Sequence, residues 1–329
     1  MGPHDALFAQ LPARELVRLM QTCRHDIHDL VHEICFNLTR LLSPFLGDHE
    51  QVVRFRQIQA ETSALISGSV ALQFLDRTTY PGSDLDIYVN RTCGDSVIHF
   101  ILEIGDNFQP REQQDPDVFE QLLTAQSLLP RTASYPLRGI ADILNFQKED
   151  QKIQLILSES APMEVILSFH STCVMNLISH ATAYALYPRA TFITKQALKV
   201  SGTHASQEEG RRKYADRGWQ MLSAPPVPAS PEFDFDLLRW VGDRLTWTLP
   251  LAQVSPEPDL CPINSWWFDL SRMSSERLEH SALEYDYFVA DPPSRAMRIL
   301  NPSPWGRLPA GVFLDLQFLQ ALPRYRERR

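Results

Sequence analysis

Cysteine is sparse in this chain and falls into no pattern. Cys23, Cys35, Cys93, Cys173 and Cys261 are scattered and odd in number, and no two form a Cys-x-x-Cys pair. A disulfide framework and a thiolate zinc site are therefore not expected, and the thiols read as reduced and intracellular. No charged-then-apolar leader opens the sequence, and no apolar run reaches roughly eighteen residues, so neither secretion nor membrane spanning is expected. Cations are in deficit as well: 31 Lys and Arg face 40 Asp and Glu, a formal charge of −9. That disfavours broad nucleic-acid binding while leaving room for a local groove. The expected setting is cytoplasmic or nuclear, away from a membrane.

What is present suits a globular protein. The 329 residues are 44% hydrophobic and 22% charged, enough to bury a sizeable core in one large or two modest domains. Residues 7–46 carry apolar side chains at helical spacing: Leu16, Leu19 and Met20, then Ile27, Leu30 and Val31, then Ile34 and Leu38. A further helix is expected over 49–63, and an amphipathic one over Asp95 to Phe108 with Asp95 as N-cap. Residues 109–137 read as a polar surface excursion. Ile140 to Phe146 and Lys152 to Ser158 follow as a hairpin. After the Pro-rich stretch 223–234 come five of the six tryptophans and short strand-like runs at Arg244 to Leu249, Ser265 to Leu270 and Tyr285 to Ala290. Three segments result: 1–48, 49–222 and 223–329.

Residues 64–89 organise the rest. Ala64 to Ile66 is apolar, Gly68-Ser69 is a turn, Val70 to Asp76 is helical, and Tyr80 to Ser83 is a second turn. Asp84 to Val89 then reads as a strand, whose alternation sends Asp84 and Asp86 to one face and Leu85 and Ile87 to the other. Two carboxylates on one strand face repel each other and resist burial, and a divalent cation relieves both problems. The plainer alternative is a surface strand with solvated aspartates.

This stretch resembles the signature of the nucleotidyltransferase superfamily, the DNA polymerase beta-like fold: an apolar residue, Gly, Gly or Ser, a spacer, then Asp-apolar-Asp-apolar. Ile66, Gly68, Ser69, Asp84, Leu85, Asp86 and Ile87 carry it, with a slightly long spacer over 70–83. The resemblance implies an α+β fold: a nucleotidyltransferase-like mixed sheet with flanking helices, a helical N-terminal segment and a β-rich C-terminal extension. It also implies that Gly68, Ser69 and Ser83 hold a nucleoside triphosphate while Asp84 and Asp86 bind Mg²⁺ or Mn²⁺. Active members carry a third carboxylate on a neighbouring strand, where this chain has Gln154 in Lys152 to Leu157. An amide brings no charge and takes no proton at neutral pH. Asp142 is the candidate substitute if its face points to the site.

The opening Leu11-Pro12, Glu15-Leu16 and Cys23-Arg24 steps resemble a shortened F-box, which implies docking on a ubiquitin ligase adaptor through residues 7–46. Together with ISGSVALQFLDR and a later FHST-x-VMN run, they resemble predicted fungal proteins of nucleotidyltransferase-like fold. Other groupings are weaker. His28 and His32 mimic a metalloprotease helix, but Asp29 is a methylene too short for the base. His170, Ser171 and Cys173 suggest a nucleophile with no visible orienting partner. Arg189, Lys195, Lys199 and Arg211-Arg212-Lys213 could face a triphosphate or form a solvated surface. Two functions are thus expected: metal-dependent transfer of a nucleoside monophosphate to an acceptor hydroxyl, or a catalytically impaired binding or scaffold protein.

Overall fold

Local signals start and stop the helices around the central strands. The structure, a computed structural model, describes residues 34–111, 139–159, 161–200, 205–226, 230–233 and 239–269, and the backbone of 284–288. Upstream it describes Phe8, Gln10, Leu11, Glu15, Leu16 and Val31. The His28/His32 pair, Pro12, Cys23-Arg24 and the polar stretch 112–138 lie outside the described residues.

Helix α1 (Leu38–Leu46) is opened by Asn37, whose side chain accepts from the Arg40 amide at 2.8 Å. Helix α2 (His49–Thr62) begins with a reciprocal capping box between Asp48 and Gln51, each bond 3.0 Å. Strand β1 (Leu65–Ser67), helix α3 (Gly68–Asp76) and strand β2 (Leu85–Asn90) follow. Arg77, just past α3, donates to the Leu11 and Phe8 carbonyls at 2.7 and 3.1 Å and so ties the upstream residues to this unit. Helix α4 (Gly94–Glu103) is shorter than the sequence suggests. Gly105 adopts φ +92, which ends the helix, and Asn107–Gln109 becomes strand β3 instead. Asp95 lies in the first turn of α4 rather than capping it.

The hairpin is β4 (Ile140–Lys148) and β5 (Gln151–Ser158), followed by α5 (Pro162–Leu167), β6 (Asn176–Ile178), β7 (Thr182–Ala185) and β8 (Gln196–Leu198). Helix α6 (Ala205–Asp216), β9 (Gln220–Leu222), β10 (Arg239–Trp240), β11 (Trp247–Pro250), β12 (Ser265–Asp269) and β13 (Glu284–Phe288) complete the described chain.

The architecture is mixed α+β. Eight strands form one sheet in the order β11-β7-β6-β1-β2-β5-β4-β3, with β2 and β5 parallel and the other pairs antiparallel. Both faces are covered, which is why Leu155, Ile156 and Leu157 of β5 are apolar in succession. On one face Leu42, Phe55 and Phe100 from the helices pack on Ile66, Ile87, Leu155 and Leu157. On the other, Ile166 of α5 joins Phe233 and Trp266 over Tyr88 and Ile156. Among the described residues no helix is long and apolar enough to cross a membrane.

Residues from the 223–329 stretch build directly onto this sheet. β11 pairs with β7 in the register Trp247↔Ala185 to Pro250↔Thr182. Arg239 is fully buried; it pairs with Asp243 at 2.5 Å and donates to the carbonyls of Leu186 (2.8 Å) and Glu232 (3.2 Å). Its guanidinium also lies 5.3 Å from the Trp266 ring. Removing one member of such a pair leaves an uncompensated buried charge, whereas replacing both with apolar groups costs far less. Arg239→Ala is expected to lower unfolding stability in urea by roughly 3–5 kcal/mol, and Arg239→Met with Asp243→Leu to recover most of that loss.

Candidate functional site

The antiparallel register of β1 on β2 sets Ser67 opposite Asp86. The next residue, Gly68, takes φ +68, a left-handed conformation that suits glycine. A methyl group built there would lie 2.2 Å from Asp86 Oδ2. The bend and the carboxylate are therefore in contact, across a gap that only a missing side chain leaves open. Gly68 also starts α3, whose first-turn amides carry no side-chain cap, because Ser67 Oγ instead donates to the Asn176 carbonyl at 2.5 Å. Uncapped amides at a helix start, including that of the nearly buried Ser69, are oriented to receive an anion.

The strand begins at Leu85, with Asp84 at its mouth rather than inside it. Leu85 and Ile87 are fully buried on the helical face, and Asp86 is half-buried on the opposite face. Burial first, and then the neighbouring Asp84 charge, push the Asp86 carboxyl from its ordinary 3.8 up to about 7, with Lys213 opposing. The two aspartates thus act on each other electrostatically, as side-by-side carboxylates must. Ser83 donates its hydroxyl to the Tyr80 carbonyl at 2.9 Å and closes the turn that leads into Asp84. Gln73, which gave no signal in the sequence, holds both halves together. Its Nε2 donates to the Ser69 carbonyl (3.2 Å) while its Oε1 accepts from the Tyr80 amide (2.7 Å).

Gln154 lies in parallel register with Asp86, and Asn145 lies opposite Gln154 on the next strand. The position beside the aspartates is therefore an amide. Asp142 does not replace it. It is paired with Leu157, three residues along β5 from Gln154 and so on the other face of the sheet. There it accepts from Arg111 Nη2 at 2.5 Å and from the Ile143 amide at 2.8 Å. Two carboxylates with one raised titration suit a hard divalent cation that takes its remaining oxygens from a ligand. No group of three or more His, Cys, Asp or Glu side chains fit to hold a metal occurs among the described residues.

The basic cluster divides by role. Lys213, on α6, acts on Asp86, while Arg211 is buried and donates to the Val200 carbonyl (2.9 Å) and to Glu208 (3.0 Å). Lys195 pairs with Asp76 at 2.8 Å and lies 4.4 Å over the Trp219 ring. The Arg189 amide donates to Glu232 Oε1 at 2.8 Å. The nucleophile idea meets a physical obstacle. Ser171 Oγ lies 2.8 Å from His170 Nδ1 and 3.4 Å from Cys173 Sγ, so the three side chains do meet. Ser171 and Cys173 are fully buried, however, and burial pushes the thiol up to about 12 and holds His170 down to about 4. This trio is packing, not an activated nucleophile.

No family model matches the chain, and comparisons with curated proteins and with solved structures found no match.

Gly68→Ala is expected to cost about 1–2 kcal/mol from the left-handed backbone alone and to displace Asp86, as read by thermal melting and by the chemical shift of the Asp86 carboxyl. Asp86 also makes a signed pH prediction. Its folded-state value is raised, so its protonated form favours the fold below about pH 4, and that contribution is lost as pH rises through about 7. Asp86→Asn should therefore stabilise the protein at pH 8 by an amount of order 4 kcal/mol that shrinks toward pH 4 in urea titrations.

Proposed function

We propose that the chain binds a nucleoside triphosphate with a divalent cation at the Gly68–Ser69 bend and transfers the nucleoside monophosphate to an acceptor hydroxyl. The observation that carries this is the contact of Gly68 with Asp86, where a methyl group would come within 2.2 Å of Oδ2. It brings an uncapped helix start and a carboxylate pair into one place, which is the pairing a metal-bound phosphate requires. Mg²⁺ or Mn²⁺ held by Asp84 and Asp86 would neutralise phosphate charge during transfer. The amides of Gly68 and Ser69 are suited to the β- and γ-phosphate oxygens, and Lys213 adds positive charge on the side of α6. Ser83 contributes by fixing the turn that aims Asp84. Gln154 can accept a hydrogen bond from an acceptor hydroxyl through Oε1, but it cannot take the proton.

That last property favours a second reading, in which the site binds nucleotide without transferring it. Gln154 stands in register with Asp86 and Asp142 faces away, so neither position supplies a third carboxylate. Docking on a ubiquitin ligase adaptor through residues 7–46 is less well supported. Leu16, part of the F-box-like opening, is fully buried in this protein's own core, and Leu11 packs against the same core.

Calorimetry with ATP and Mg²⁺ is expected to give metal-dependent binding at millimolar affinity or tighter, abolished by Asp84→Asn with Asp86→Asn. Incubation with labelled nucleoside triphosphates, followed by mass analysis of whatever gains a monophosphate, then separates transfer from binding alone. Absence of metal-dependent binding would sink both readings.

A further inference from the structure

Arg217 lies one residue beyond α6 and is held by rings rather than by acids. Its Cζ sits 3.9 Å from the Tyr80 ring centroid and 5.1 Å from that of Tyr214. Among the described residues no carboxylate pairs with it, and its Nη1 is buried without a hydrogen-bond partner. The acid nearest in charge to Tyr80, Asp76, is already engaged through both oxygens by Lys195, at 3.1 and 2.8 Å. A guanidinium so held leaves its Nη1 donors without an acceptor, and buried donors left unmet are costly.

The clasp belongs to the same corner as the aspartates. Tyr80 is bonded through Gln73 to Ser69, and its carbonyl receives Ser83, the residue before Asp84. Tyr214 is within electrostatic reach of Asp86 as well as of Tyr80. Just past Arg217, Gly218 takes φ +100, and an added methyl group there would meet nothing within 4 Å, so the chain on that side of Arg217 is uncrowded. Guanidinium is the cation best matched to phosphate oxygens, which it binds through two parallel donors. Contact with two rings restricts its side chain in advance, so little freedom is lost on capture.

We propose that Arg217, clasped between Tyr80 and Tyr214, receives the terminal phosphates of a polyphosphate chain and makes the site select nucleoside triphosphates over monophosphates. This rests on assigning the Gly68–Asp86 corner to a nucleotide, and the test keeps the two ideas apart. The full-length chain is titrated in Mg²⁺ with ATP, AMP and inorganic tripolyphosphate. Arg217→Gln is expected to weaken ATP and tripolyphosphate by roughly ten- to a hundredfold and to leave AMP within about twofold. Equal weakening of ATP and AMP, or no change in ATP, overturns the assignment, because a purely structural ring–cation contact would not discriminate by phosphate number. Should Arg217→Gln fail to fold, Arg217→Lys keeps the charge over the rings but lacks the planar fork. It is expected to lower the ATP-to-AMP preference several-fold with an unchanged melting temperature, and an unchanged preference overturns the assignment. Tripolyphosphate binding that depends on Arg217, without nucleotide binding, removes the nucleotide reading and keeps the anion site. Binding of neither removes both.

Discussion

One contact governs the geometry of this protein: the backbone of Gly68 lies against the carboxylate of Asp86. It exists because β1 and β2 are antiparallel neighbours with Ser67 opposite Asp86, so a turn closing β1 must pass over that side chain. Any Cβ at the turn would collide with the acid. The glycine therefore serves two demands at once, a left-handed backbone and a vacant volume. The start of α3, the orientation of its amides and the position of Asp84 all follow from it.

The surrounding sheet makes that corner rigid at a cost in stability. β2 sits near the middle of eight strands, flanked by β1 and β5, and its alternate residues Leu85, Ile87 and Val89 are fully buried under helices. That packing determines which face Asp86 must take, and there a carboxyl meets burial and a like charge. A neutral side chain would serve the fold better. Strongly perturbed acids in such surroundings are typical of sites that perform chemistry or hold ions. The sheet anchors the strand, and the exposed end of the strand carries the expense.

Much of this corner was legible in the sequence because its determinants are local. The Gly-Ser turn, the Asp-x-Asp alternation and the β4–β5 hairpin each depend on residues a few positions apart. The resemblance to nucleotidyltransferases, laid on the strand pattern, points to Gln154 as the amide beside the aspartates, and the parallel register with β2 agrees. The failures are non-local or backbone-specific. Asp95 to Phe108 carries helical spacing, but Gly105 turns left-handed and releases a strand. The face of Asp142 follows from how β4 pairs with β5, Asn145 against Gln154 and Asp142 against Leu157, and periodicity within β4 does not reveal that register. Tyr80 and Arg217 meet although they are far apart in the chain, and nothing near either residue in sequence announces the other. Cys173 and His170 resembled chemistry by composition, and only their burial shows otherwise.

The pairing of β11 with β7 has a consequence for how the protein can be divided. Arg56, deep in α2, donates to the carbonyls of His180 and of Ala252, the latter just past β11. Nearby, Glu232 in the proline-rich stretch accepts the amides of Arg189 and Ala190 at 2.8 Å each. A chain cut before residue 223 would take the Ala252 carbonyl from the Arg56 guanidinium, leaving it that of His180, and bare the ladder edge of β7, the kind of unpaired rim on which chains stick to one another. The stretch around β11 is in this sense the selvedge of the sheet, woven in rather than appended.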